Sequence, residues 1–171
     1  AVAPVAALLA DENPYIRARA IWLLADLGAE GTARVVPLLD SPDADTRVTA
    51  FRALRRHDAQ PLVHAAKLAA DPSAAVRREV AVSLRDVPFA QSKDILLTLA
   101  KGYDGADRTY LEAWGIGCTG KEAEVYAALT PSLGADPLKW SAAQAGLAWR
   151  LTPAAAVPQF AARANAANLS E

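Results

Sequence analysis

One helix-length phrase returns at a fixed interval, and that constrains this chain more than anything else in it. Residues 71 to 84 read DPSAAVRREVAVSL, thirty residues upstream the chain reads SPDADTRVTAFRAL, and thirty before that DENPYIRARAIWLL. Superposed, Arg17, Arg47 and Arg77 coincide, as do Ala20, Ala50 and Val80, and Leu24, Leu54 and Leu84. A fourth copy at a spacing of thirty-one, YDGADRTYLEAWG, puts Arg108 in the arginine place, and a weak fifth, ADPLKWSAAQAGLAW, offers Lys139. A repeat of this period is one supersecondary unit. It buries its apolar face only by stacking on a neighbour.

Each phrase carries its apolar residues at helical spacing: Ile16, Ala20, Leu23, Leu24 and Leu27 in the first, Val76, Val80, Leu84 and Val87 in the third. The stretches between, at 32–40, 61–71 and 92–102, read as a second helix. The unit is helix A, a tight turn, helix B and a loop. Asp71-Pro72-Ser73 and Ser41-Pro42-Asp43 have the chemistry to cap helix B; Gly28, His57–Asp58 and Pro88 mark its ends. Prolines inside GTARVVPLL and AAAVPQFAARA should kink their helices. The expected fold is all-α: a right-handed α-solenoid of about five helix pairs, closed by a helix from about Pro153 to Asn168. Residues 1–171 form a single repeat domain in this reading.

Composition agrees and narrows the function. Hydrophobic residues make up 53%, much of it alanine, the best helix former. A chain of this size buries roughly 70% of its unfolded surface, so the core needs no staple. Its net charge of −1 disfavours a general nucleic-acid binder. Cys118 is the only cysteine, which excludes an internal disulfide and a cysteine-based zinc or haem site in these residues. No apolar run reaches membrane-spanning length. The chain lacks methionine even at position 1, and reads as a piece of something longer.

The D-P-x-x-x-V-R-x-x-[AV]-x-x-x-L pattern, clearest at Asp71–Leu84, resembles the short HEAT-like repeats of bacteria, the phycobilisome-lyase type, over about residues 9 to 117. In such repeats the turn aspartate and the helix B arginine form a ladder between neighbouring units. The resemblance assigns that ladder here to Asp11 and Asp71 with Arg17, Arg47, Arg77 and Arg108. Ser41 stands in the second unit's aspartate place, leaving Asp40 or Asp43 to serve. A narrower likeness, carried by DRTYLEAWGIG at 107–117, is to the HEAT segment of large exported bacterial proteins that join a sugar-dehydrogenase-like propeller to a c-type cytochrome domain. It implies an envelope location. With no CxxCH here, the haem would lie outside these residues.

HEAT arrays line their concave surface with helix B. By register that face would carry Arg19, Trp22 and Asp26; Thr49, Arg52 and Arg56; Arg78, Glu79, Val82 and Asp86; then Tyr110 and Ala113. Tryptophan, tyrosine and arginine are the usual interface anchors. Mixed charges fit a protein, or a neighbouring domain of the same chain, better than a phosphate backbone. Against this, strict periodicity is what a structural role for the arginines requires, because a ligand site needs no arginine every thirty residues. Trp114, Trp140 and Trp149 read as core, and Gly115 and Gly117 as close helix packing. GIGCTG lacks the strand before it and the lysine-serine after it that a phosphate loop needs. His57 and His64 have no partners at metal spacing, and Cys118 has no histidine beside it.

The sequence thus predicts a non-catalytic protein-binding scaffold with no cofactor, no nucleic-acid partner and no membrane insertion. The family resemblance leaves two other classes open: a HEAT-like lyase that attaches bilin chromophores, for which tetrapyrrole binding would speak, and a HEAT-like glycosylase, which needs a cationic concave face. The Arg52, Arg55, Arg56 cluster is what keeps the second open.

Overall fold

The computed structural model describes residues 2–166. These residues contain helices and no strand: α1 (Val2–Ala7), α2 (Pro14–Asp26), α3 (Gly28–Val35), α4 (Ala44–His57), α5 (Pro61–Leu68), α6 (Ala74–Ser83), α7 (Phe89–Lys101), α8 (Arg108–Gly117), α9 (Glu122–Leu133), α10 (Ala142–Leu151) and α11 (Val157–Ala164). Read in order, α1 to α10 make five pairs and α11 follows them. This is the all-α, HEAT-like solenoid class that the repeat predicts. The chain divides into two compact units between Val80 and Ala81.

Helix B of each pair starts where its turn chemistry puts it. Asn13 caps α2 through the Tyr15 N–H, Asp43 caps α4 through Asp45 and Thr46, and Asp107 caps α8 through Tyr110. Ser141 and Gln144 form a reciprocal capping box on α10. Each such cap satisfies backbone donors that the first helical turn leaves open. Thr46 donates to Asp43 through its hydroxyl and its N–H, and these bonds hold the Asp43 carboxyl below the usual aspartate value.

Counting from these starts reveals the core columns. The seventh helical residues of α2, α4, α6 and α8 are Ala20, Ala50, Val80 and Trp114, and all are fully buried. Four residues on lie Leu24, Leu54, Leu84 and Cys118, also fully buried. A helix returns to the same face every three to four residues, so these two positions form the buried edge of each helix B.

The fourth unit is offset from its sequence register. Arg17, Arg47 and Arg77 are each the fourth residue of their helix, whereas Arg108 is the first of α8. Leu111 therefore takes the arginine place. Lys139 falls in a 3-10 turn ahead of α10, so the fifth unit has no cation there either.

The prolines also act differently than expected. Pro37 ends α3 and opens a 3-10 turn at Val36–Asp40, breaking the α-helix instead of bending it. Pro158 sits in the first turn of α11, where the missing N–H costs nothing, so no kink results. Pro131 lies inside α9. The expected closing helix is represented by a 3-10 turn at Ala154–Ala156 and α11; Asn168 lies outside the described residues.

Candidate functional site

The repeat arginines strap their own turns. Arg17 Nη1 donates to the carbonyls of Asp11 (2.8 Å) and Glu12 (2.9 Å). Arg47 Nη1 does the same to Ser41 (2.7 Å) and Pro42 (3.2 Å), and Arg77 Nη1 to Asp71 (2.7 Å) and Pro72 (3.1 Å). The fourth helical position is what makes this reach available, one turn in from the helix start and facing back over the incoming chain.

A full rung joins the second and third repeats. Arg47 Nε and Nη2 donate to Asp71 Oδ2 and Oδ1, both at 2.8 Å, with both side chains buried. The bidentate carboxylate holds the Arg47 pKa above the ordinary arginine value. The aspartates expected to serve the earlier arginines are engaged otherwise. Asp11 accepts from the Asn13 N–H. Asp40 pairs with Lys67 at 2.7 Å, and Asp43 caps α4 with the Arg17 charge near it but no hydrogen bond to Arg17.

Arg108 is the clear correction. Its side chain is 89% exposed, with Glu112 at 3.8 Å as its ionic contact. At the first helical position it lies three residues too early to strap its turn. Tyr110 is corrected for the same reason. The offset moves it into the column of Val76, so it is buried, not on a binding face. Its hydroxyl donates to the Leu99 carbonyl at 2.7 Å, and its ring stacks on Tyr103. Ala113 is buried with it.

The remaining predicted binding residues lie on α2, α4 and α6. Arg19 and Arg56 are exposed, and Trp22 is 38% exposed. Asp26 approaches His57 of α4 at 3.7 Å, and Trp22 lies one turn earlier on the same row of α2. Arg52 donates to Glu79 of α6 at 2.6 Å, and Arg55 lies 3.8 Å from the same carboxylate. Glu79 is thus largely covered by arginines. Thr49 is half-buried and bonds the Asp45 carbonyl, and Arg78 is half-buried. Arg56, one turn beyond Arg52, makes no ion pair among the described residues.

The tryptophans divide. Trp114 and Trp140 are buried as expected, their indole N–H groups on the carbonyls of Leu96 and Gly134. Trp149 is not core. It is 65% exposed, because α10 turns Leu147, Ala148 and Leu151 inward and leaves Trp149 outside, edge-on to Phe160.

GIGCTGK is a packing joint. A Cβ on Gly115 would land on the Arg150 guanidinium, and one on Gly117 on the Ala81 carbonyl oxygen. Lys121, whose role nothing in the sequence marked, is buried. Its ammonium donates to the carbonyls of Leu84 (2.9 Å), Arg85 (3.0 Å) and Val87 (2.9 Å), closing the turn after α6. That use of all three donors leaves it none for a phosphate. Burial lowers its pKa.

Cys118 fills a core column, and burial pushes its thiol up to about 12. The thiolate is the nucleophile, and burial disfavours it here. Native protein should react with a disulfide thiol reagent at well under one hundredth of the rate in denaturant; fast labelling of native protein would show that the column is open.

His64 Nε2 lies 3.0 Å from Asp58 Oδ2, and this contact first, with the Gln60 N–H, holds the Asp58 carboxyl low. No cluster of three or more histidine, cysteine or carboxylate side chains among the described residues could hold a metal ion. No helix among them is long and apolar enough to cross a membrane.

Stacked helix pairs, an arginine strap at one helical position and a turn aspartate bridging to the preceding arginine are the marks of one repeat type. Residues 2–63 match the family model of HEAT repeats. The match runs from α1 into α5. The HEAT-like repeats so identified include the helices bearing Trp22, Arg52 and Arg56. Searches of curated proteins and of solved structures found no match to the chain.

Proposed function

We propose that this chain is a non-catalytic HEAT-repeat scaffold that binds another protein, or a neighbouring domain of its own parent, through the α2–α4–α6 side of its first unit. One observation carries the reading. The charged groups that repeat are used inside the fold, while Trp22 and Arg56 stay exposed on adjoining helices with no ionic or ring partner among the described residues. Exposed tryptophan and arginine are the residue types that most often anchor interfaces. The buried Cys118, the fully engaged Lys121 and the paired histidines support a role without chemistry of its own. The likeness at 107–117 to exported propeller–cytochrome proteins would make the flanking domains the first partners to try. We place the chain in the envelope on that likeness alone. Nucleic acid is not the expected ligand, because Glu79 offsets Arg52 and Arg55 and the chain as a whole is near neutral.

The test is capture of the parent's own flanking domains by this chain, comparing wild type with Trp22→Ala/Arg56→Glu. We expect at least a tenfold loss of affinity, about 1.4 kcal/mol, with unchanged circular dichroism. Equal capture by both would show that the α2–α4–α6 side is not the binding surface.

A further inference from the structure

Arg108, expected in the ladder, and Trp149, expected in the core, stand instead in one open cleft. Arg108 and Trp149 line a cavity of about 530 Å³ with Tyr103, Glu112, Arg150 and Thr152, all from the second unit. We propose that this cleft binds an acidic peptide segment of another protein, one carboxylate on the Arg150 and Arg108 guanidinium groups and an adjoining apolar side chain on Trp149.

Arg150 is the positioned member. Its Nε donates to Glu112 Oε2 at 2.9 Å. Its guanidinium lies across α8 at Gly115, where any Cβ would collide with it. The glycine therefore clears the bed in which the fork rests. Glu112 fixes one edge of the fork, and Nη1 and Nη2 make no hydrogen bond among the described residues. A guanidinium held on one edge with its terminal donors open is prepared for a carboxylate, since little side-chain freedom remains to be lost on binding.

Charge gives the sign of the ligand. Two guanidinium groups flank one carboxylate, because Arg108 also faces Glu112, at 3.8 Å. A second carboxylate completes the set. At the Tyr103 end lie Asp104 and Asp107, which raise the pKa of that tyrosine after burial does. Asp104 accepts the N–H groups of Ala106 and Asp107, and Asp107 accepts that of Tyr110. The lining of the cleft itself carries two guanidinium groups and one carboxylate, which leaves it cationic.

Two further features point to use. Trp149 keeps 65% of its surface exposed, although it sits against Phe160 with ring centroids 5.3 Å apart. Thr152, which follows α10 and lines the cleft, has φ 45° and ψ 38°. It is the one non-glycine residue with positive φ among the described residues. Left-handed backbone at a β-branched residue is costly, and such strain gathers at binding sites. A nucleic-acid strand is the poorer fit: it needs a row of cations, whereas here Glu112 stands between two.

This rests on the reading of the chain as a binding scaffold, but on different residues from those of α2, α4 and α6. The probe is a fluorescein-labelled peptide of alternating aspartate and leucine, followed by anisotropy beside its asparagine–leucine analogue and a labelled oligothymidylate. We expect the aspartate peptide to bind at least about tenfold more tightly than the analogue. Arg150→Gln and Arg108→Gln should each weaken it about tenfold, Trp149→Ala should weaken both peptides, and Trp22→Ala/Arg56→Glu should change nothing. Arg108 is so exposed that its variant reports on the cleft even if Arg150→Gln unfolds. Equal binding of the two peptides, unchanged binding in Arg108→Gln, or oligothymidylate binding lost in the same variants would overturn the proposal. Loss of binding in Trp22→Ala/Arg56→Glu would overturn it too, by moving the peptide to the first surface.

Discussion

Asp71→Ala should cost about 3–5 kcal/mol of folding free energy, measured by urea denaturation. The reason is the charge it leaves behind. Arg47 is only 8% exposed, and both of its bonds to Asp71 are lost at once. The Ser73 N–H loses its acceptor on Asp71 Oδ1 as well. Arg47→Met/Asp71→Ala should be less destabilised than the sum of the two single variants, because the uncompensated charge is gone. Arg47 Nη1 also straps Ser41 and Pro42, so the double variant should not return to wild type. Full additivity would mean that Arg47 and Asp71 do not act as a pair. The exposed Lys67–Asp40 pair provides the contrast: it should couple by less than about 1 kcal/mol, because water competes for both groups.

Gly117→Ala should destabilise by about 1–3 kcal/mol, the ordinary cost of overpacking. Helix propensity alone gives the opposite sign, since alanine exceeds glycine in a helix by up to roughly 1 kcal/mol. The sign is therefore the test. Gly117 is buried, and its absent Cβ is the space filled by the Ala81 carbonyl, with Leu96 Cδ2 3.3 Å from the same point. A carbonyl fixed in the backbone cannot step aside as a side-chain tip can. A higher melting temperature in the alanine variant would show that α8 does not press on Ala81. Gly120 is the control, because a Cβ there meets nothing within 4 Å. Its φ of 78° makes a substitution there a matter of backbone strain alone.

How far the sequence could be read varied along the chain for a physical reason. Through the third repeat, caps and apolar positions recur at one interval, so the arginine straps and buried columns were legible from spacing. At the fourth, the capping aspartate shifts against that interval. Arg108 and Tyr110 were aligned by residue type, and each misplacement is that same slip. Trp149 was misread because hydrophobicity gives a helix's apolar content and not its rotation. Lys121 gave no local sign, since the three carbonyls that hold it lie more than thirty residues earlier.

The sequence by itself determined the repeating unit, the class of fold and the arginine that ties each early turn. Those follow from short-range periodicity, caps and the need of a helix pair to bury one face. Only the tertiary structure decided which aspartate completes a rung, which tryptophan stays outside and why Gly115 must be bare. Each of those depends on which atoms from distant parts of the chain come to occupy the same few ångströms, and local spacing carries no record of that.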